Sequence, residues 1–326
     1  MTREVLLAVV IVVAAIAAIL VVIALIVRKL ALRAEAQYPP AGRFIEVDGV
    51  RLHYVEKGKG PAVVLLHGNG TRAEDFGGSG VLDRLAVHHR VVAFDRPGYG
   101  FSDRPKNRTW PPQRQADLLM RACDRLDIEQ PVVVGHSWGT LVALALALDH
   151  PQRVRGLVLL SGYYYPTMRP DVVIFSVPAI PVVGDVMRYT VSPILGRLLT
   201  PWLVRQMFQP RPVPAAFRAA VPTALMLRPW QLRAAAEEAG LMVPAAASLR
   251  RRYGELRSPI RLIAGADDRV AHAERHSGQF HRDVPNTSLR VIPGLGHMVH
   301  YFAQDEVVAA VDALSRAPRE SGQRPA

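Results

Sequence analysis

The sequence predicts an α/β protein built on a mostly parallel, doubly wound sheet, with a helical segment inserted late in the chain and one membrane-spanning helix in front. Three observations carry this expectation. Short runs such as Ala62–Leu66 and Val132–Val134 are continuously apolar, as strands covered on both faces must be. They alternate with helix-length segments, the pattern of parallel strands joined by crossover helices. That alternation stops after Ser161 and resumes at Ile260, and it is preceded by 23 consecutive apolar residues from Val5 to Val27.

The N-terminal run comes first. At 1.5 Å of rise per residue it spans a hydrocarbon core of about 30 Å. Ala34-Glu35-Ala36 resembles a signal-peptide cleavage site, but the apolar region is far longer than the ~7–15 residues of such a signal, and Arg28, Lys29 and Arg33 intervene. An uncleaved anchor is the expectation. Arg28, Lys29 and Arg33 follow the span, whereas Arg3 beside Glu4 precedes it, so the positive-inside rule places the body of the protein in the cytoplasm.

Residues 34–43, with Pro39-Pro40 and Gly42, read as a linker. Phe44–Val47 and Val50–Val55 are alternating strands joined by Asp48-Gly49, a two-residue hairpin signal. Ala62–Leu66 is the third strand, and it runs into His67-Gly68-Asn69-Gly70. Ala73–His88 reads as a helix and Arg90–Phe94 as the fourth strand. In Asp95-Arg96-Pro97-Gly98-Tyr99-Gly100 the aspartate precedes Pro-Gly, where it fixes a turn through its own side chain. Gln113–Leu126 is helical, Val132–Val134 is a strand, Leu141–Leu148 is a buried helix and Val154–Leu160 is the sixth strand.

From Tyr163 to Arg257 the chain turns Pro-rich and helical, with Trp202, Met207, Phe208, Met226 and Trp230 spread along it, which reads as an inserted cap. Within it Val172–Val183 is strongly apolar but too short and Pro-broken to span a bilayer; it is either the core of the cap or an interfacial surface beside the anchor. Ile260–Ala264, a helix over Ala273–Phe280, Ser288–Ile292 and a helix over Gln304–Leu314 complete the fold. The expected segments are therefore an anchor and basic flank (1–33), a linker (34–43), two core parts (44–162 and 258–315), a cap (163–257) and a polar, disordered tail (316–326).

Composition excludes several function classes. The 326 residues are 50% hydrophobic and 21% charged, which is a folded chain. The net charge of +12 comes almost wholly from scattered arginines with no dense basic block, so nucleic-acid binding is not expected, and attraction to anionic lipid is the better consequence. Cys123 is the one cysteine, which excludes an intrachain disulfide and a cysteine-rich zinc site.

The chemistry centres on Gly135-His136-Ser137-Trp138-Gly139, a Gly-x-Ser-x-Gly between strand and helix. Such a turn strains its central residue and needs glycines on either side, and it presents Ser137 at a helix N-terminus, where negative charge is favoured. A serine hydroxyl needs a base, and the base a partner that fixes its tautomer. His297 lies in Gly294-Leu295-Gly296-His297 beyond the last strand, on the same sheet edge as Ser137; His300 is the fallback. After the seventh strand, Gly265-Ala266-Asp267-Asp268 offers two candidate acids. Nucleophile, acid and histidine then occur in the order this strand–helix arrangement requires. His297 with His300, or His272 with His276, could pair on a metal. With no carboxylate or cysteine cluster nearby they read as solvated histidines, so no metal and no cofactor are expected.

Together the motifs HGNG, DRPGYGFSD, GHSWG, GADD and GLGH make the chain resemble a capped member of the α/β-hydrolase superfamily over Phe44–Ser315. The resemblance implies an eight-stranded sheet and selects Asp268 over Asp267. It also implies an oxyanion hole formed by the backbone N–H groups of Asn69 and Trp138. Haloalkane dehalogenases and epoxide hydrolases share the GHxWG pattern but carry aspartate as nucleophile; serine at 137 points to acyl transfer. The expected activity is therefore that of a membrane-anchored carboxylesterase or lipase-like serine hydrolase, with a small-molecule or lipid-like ester as substrate. The alternatives are hydrolysis of amide or carbon–carbon bonds, or a non-catalytic hydrolase-fold binding protein. Tyr163 and Tyr164, at the entrance of the cap, are candidate substrate contacts or else core packing.

Overall fold

The computed structural model describes residues 2–316. One helix, α1 (Arg3–Gln37), precedes an eight-stranded sheet with strand order β1-β2-β4-β3-β5-β6-β7-β8. β1 (Arg43–Val47) and β2 (Val50–Lys57) form the antiparallel hairpin, closed by Asp48 and Gly49 at φ +50° and +71°. β2 joins the sheet by pairing antiparallel with β4. β3 (Ala62–Leu66), β4 (Arg90–Phe94), β5 (Val132–His136), β6 (Gly156–Leu160), β7 (Ile260–Gly265) and β8 (Thr287–Ile292) are all parallel. The central strands carry buried side chains on both faces, which explains why their sequences do not alternate.

Between the strands run α2 (Glu74–Gly78), α3 (Val81–Leu85), α4 (Pro112–Arg125) and α5 (Gly139–Asp149). Six helices occupy the insertion between β6 and β7: α6 (Pro170–Ser176), α7 (Val183–Tyr189), α8 (Val191–Phe208), α9 (Ala215–Ala220), α10 (Thr223–Met226) and α11 (Pro229–Arg250). α12 (Gln279–Asp283) and α13 (Gln304–Arg316) complete the core. α5 is buried around almost its whole circumference, because β3, β5 and β6, α4 and α11 all pack against it.

Three sequence expectations are corrected or refined. The helix expected over Ala73–His88 is two short helices, since Gly80 takes φ +81° and breaks the run. The one expected over Ala273–Phe280 is helical but wound wider at its start, π-helical over Glu274–Gly278, and runs on through α12 to Asp283. The linker expected from residue 34 begins later, because α1 continues to Gln37 through good helix formers until Tyr38-Pro39-Pro40 stops it. Its last turns are not free: Val27, Ala31 and Ala34 are buried at helical spacing where α1 meets α7 and α10. Glu35 accepts a 2.6 Å hydrogen bond from the buried guanidinium of Arg228. By length and composition α1 is able to cross a membrane. The expected tail beyond Arg316 lies outside the described residues.

Candidate active site

β5 turns directly into α5, and Ser137 sits in the bend at φ +52°, a conformation costly for any residue with a Cβ. Two backbone bonds hold it there: Ser137 N–H to the Leu160 carbonyl at 2.9 Å and Thr140 N–H to the Ser137 carbonyl at 3.0 Å. The flanking glycines are required by space. A Cβ at Gly139 would lie 2.2 Å from the Leu66 carbonyl oxygen, and one at Gly135 would lie 2.7 Å from the Gly139 oxygen.

The loops after β7 and β8 bring the other two groups to this edge. His297 Nε2 lies 2.8 Å from Ser137 Oγ, and His297 Nδ1 lies 2.8 Å from Asp268 Oδ2. Because a carboxylate only accepts, Nδ1 carries the proton, which leaves Nε2 to accept from the serine hydroxyl. Asp268 is fixed in turn: its Oδ1 accepts the N–H groups of Val270 and Ala271 at 2.8 and 2.9 Å. Asp267 points elsewhere, taking the Gly294 N–H at 2.9 Å and so bracing the loop that carries the histidine. Both Asp268 and His297 are buried.

Facing the serine is the loop after β3. A Cβ on Gly68 would lie 3.1 Å from the Ser137 Cβ, so glycine lets this loop come against Ser137. Among the described residues no backbone carbonyl takes the N–H of Asn69 or of Trp138. Their side chains are used for anchoring: Asn69 Nδ2 donates to the Ala235 carbonyl and Trp138 Nε1 to the Glu238 carbonyl, both on α11 and both at 3.0 Å.

Sequence reasoning missed the pair that builds this wall. Arg96, fully buried, donates to the carbonyls of His67 and Gly68 and makes a two-pronged ion pair with Glu238, whose second contact is 3.0 Å. Tyr99 and Gln115 also donate to Glu238. Burial alone would raise the Glu238 carboxyl; the Arg96 charge outweighs it and holds the group below the ordinary carboxylate range. His67 is pushed down to about 4 by burial and by Arg96, so it stays neutral while its Nε2 accepts the Arg96 N–H. The available signals were an arginine inside DRPG and an acidic pair in an otherwise Ala-rich helix. Asp95, read as a turn former, accepts from the N–H groups of Ala73 and Phe101 and from His53.

Two further readings are corrected or narrowed. Of the histidines taken as solvated only His272 is exposed; His276, His297 and His300 are buried. His276 Nδ1 accepts the Tyr164 N–H at 3.2 Å, and burial lowers this histidine to about 4. His300 packs on His136 with ring centroids 4.4 Å apart, beside Asp75; one donor atom from each of the three lies within 4.8 Å of the others. His136 Nε2 donates to the His297 carbonyl at 3.1 Å, and this small cluster therefore supports the histidine loop from behind. Tyr163 and Tyr164, offered as substrate contacts or else core packing, are buried, which favours the packing alternative: the Tyr163 ring lies tilted against His276 and the Tyr164 ring against Phe280. Their rings pack the hinge of the cap.

A family profile described as the alpha/beta hydrolase fold matches residues 61–304. The chain belongs to that family. This alpha/beta hydrolase is 36% identical over 138 residues to the 2-hydroxymuconate semialdehyde hydrolase of a Pseudomonas species, a match covering 41% of this chain and 49% of that protein. It thus spans about half the length of that curated relative. Among solved structures, an esterase of Thermogutta terrifontis superposes with a TM-score of 0.68 at 21% identity, over 83% of this chain and 97% of that one. A bacterial membrane phospholipase A superposes with a TM-score of 0.64 at 20% identity, over 97% of this chain and 100% of that one.

Proposed function

We propose that this hydrolase is a membrane-anchored serine esterase that cleaves lipid-like carboxylic esters through an acyl-enzyme. The observation that carries the reading is the unbroken line from Ser137 Oγ through His297 to Asp268, with both links at 2.8 Å. His297 takes the serine proton as Oγ attacks the ester carbonyl, and Asp268 holds the imidazolium that forms. The free N–H groups of Asn69 and Trp138 receive the oxyanion, a term worth about 3–4 kcal/mol per donor in related chemistry. His297 then protonates the departing alcohol and activates the water that releases the acid. α1 is the anchor, with Arg28, Lys29 and Arg33 placing the hydrolase domain on the cytoplasmic side. The likeness to a membrane phospholipase A, which extends over nearly the whole chain, supports this arrangement.

The identity with a semialdehyde hydrolase favours a second reading, in which the same triad cleaves a carbon–carbon bond beside a carbonyl. Labelling of detergent-solubilised protein with a fluorophosphonate tests the activated serine that both readings share. Wild type is expected to label, and Ser137→Ala and His297→Ala are not. Folded wild type that fails to label overturns the hydrolase reading. A screen of p-nitrophenyl esters of rising chain length then separates esterase from carbon–carbon hydrolase.

A further inference from the structure

α8 has its apolar stripe on the wrong side for a soluble cap. Val191, Ile194, Leu195, Leu198 and Trp202 recur at helical spacing, and all are exposed, Leu198 by 72% and Trp202 by 58%. Ahead of them on α6, Val173, Ile174 and Phe175 are exposed as well. α7, which lies between these helices in sequence, packs against the membrane-crossing helix α1, so the apolar face continues from the anchor across the cap.

The inner side of α8, through Thr200 and Val204, borders a cavity of about 800 Å³. Its wall is apolar at Phe217, Val221 and Met226, yet it also holds Arg205, Arg211, Arg218 and Arg269 and no acidic residue. Arg211 and Arg269 are held by uncharged acceptors, the Gly294 carbonyl at 3.2 Å and Gln209 Oε1 at 3.1 Å, so their charges are not cancelled there. The nearest acids in sequence are already committed, Asp267 to the Gly294 N–H and Asp268 to His297. The cavity adjoins the catalytic loops: Arg269 follows Asp268, and the Met207 carbonyl next to the cavity accepts the His297 N–H at 2.9 Å. A Cβ on Gly70 would lie 3.8 Å from Met226.

Resting on the esterase reading, we infer that α6–α8 lie in the membrane interface beside α1 and that this arginine-lined cavity holds the phosphate of an anionic glycerophospholipid, which makes that lipid the substrate. Guanidinium groups match phosphate oxygens, apolar walls match the glycerol and the first acyl carbons, and the α8 stripe replaces water with lipid at the cavity's edge. On such a lipid the ester carbonyl and the phosphate sit on the same glycerol, so a headgroup among the arginines presents an ester to Ser137. Oγ attacks that carbonyl, the bond to the glycerol oxygen breaks, and this oxygen takes the proton from His297 and leaves as a lysophospholipid. Water then cleaves the acyl-enzyme to a fatty acid and restores the serine proton through His297.

Two measurements test this on the full chain. In nanodiscs containing brominated phosphatidylcholine, quenching of tryptophan fluorescence is expected, and Trp202→Phe is expected to remove most of it. Quenching unchanged by that substitution takes α8 out of the lipid and overturns the placement. For the cavity, Ser137→Ala protein in non-ionic detergent is titrated calorimetrically with short-chain phosphatidylglycerol, the matching diacylglycerol and inorganic phosphate. Phosphatidylglycerol is expected to bind most tightly, and Arg211→Gln/Arg218→Gln to weaken it by at least about tenfold. Both arginines are exposed, and circular dichroism checks that the variant is folded. Equal binding of diacylglycerol, or no effect of the double substitution, overturns the phosphate assignment; phosphate binding as tight as the lipid's overturns the lipid source. If fluorophosphonate labels wild type while these titrations fail, this inference fails and the esterase reading stands.

Discussion

Ser137 is held at φ +52° by its backbone bonds to Leu160 and Thr140 and by the close packing at its flanking glycines, Gly135 and Gly139. The second of these glycines supports a direct prediction. Gly139→Ala must push a methyl against the Leu66 carbonyl, 2.2 Å away, and because both elements are core strand and core helix neither can yield cheaply. A loss of about 3 kcal/mol is expected, read as a lower denaturant midpoint, with labelling of Ser137 lost alongside. Asp268 supports a second. Asp268→Asn keeps the shape but offers an amide where His297 Nδ1–H needs an anion, so the turnover of any ester found by screening should fall by about 10⁴ while the fold persists. The sequence made Gly139 legible, since a glycine two places after a serine between strand and helix is a local signal; the acids after a strand-ending glycine narrowed the choice to Asp267 or Asp268, and only the family resemblance selected Asp268. Arg96 and Glu238 were not legible: they are 142 residues apart, and only the docking of the cap brings them together.

At the scale of the element, α11 is tied to the core by that pair, and its loss has a clear cost. Glu238→Ala leaves Arg96 charged, fully buried and unpaired, and should destabilise the protein by about 3–5 kcal/mol. The carbonyls of His67 and Gly68 would lose their fixed donor, so activity should fall further than stability alone explains. At the other end of the cap, Glu35→Ala strands the buried Arg228 in the same way and should cost about 2 kcal/mol, less because Glu35 itself is partly exposed. Thermal unfolding in detergent measures both. Strand positions were readable because continuous apolar runs of five residues have few other uses. Helix ends were less so, as Ala73–His88 showed, where one left-handed glycine outweighed the surrounding helical pattern.

For the molecule as a whole, buried histidines set the response to acid. His67 and His276 are held at about 4 against an ordinary 6.5, both primarily by burial. Their folded values lie below the unfolded one, so between these limits the unfolded chain binds protons that the folded chain refuses. Stability is therefore full above pH 6.5 and falls as the pH drops towards 4, by on the order of 3 kcal/mol for each histidine. Denaturant titrations at pH 7 and pH 5 should show this fall, and His276→Gln should reduce it. The sequence offered eleven histidines and no means of sorting them, because neutrality here is a property of enclosure by distant segments.

On the proposed reading, the continuity of α1 into the domain bears on which lipids the protein reaches. In the anchored arrangement proposed above the helix does not end at the membrane surface; its last ten residues, from Arg28 to Gln37, run on for about 15 Å, and its end is pinned through Ala31, Ala34 and Glu35. A helix clamped in this way is a mast of fixed height and bearing, whereas a flexible tether would let the domain swing. The active site then samples only the leaflet in which it stands, moving as the protein diffuses in two dimensions. Turnover should follow the mole fraction of substrate within the host membrane and ignore the bulk concentration of vesicles. When vesicles carrying the enzyme are mixed with separate vesicles carrying the lipid, hydrolysis should begin only once the two populations fuse.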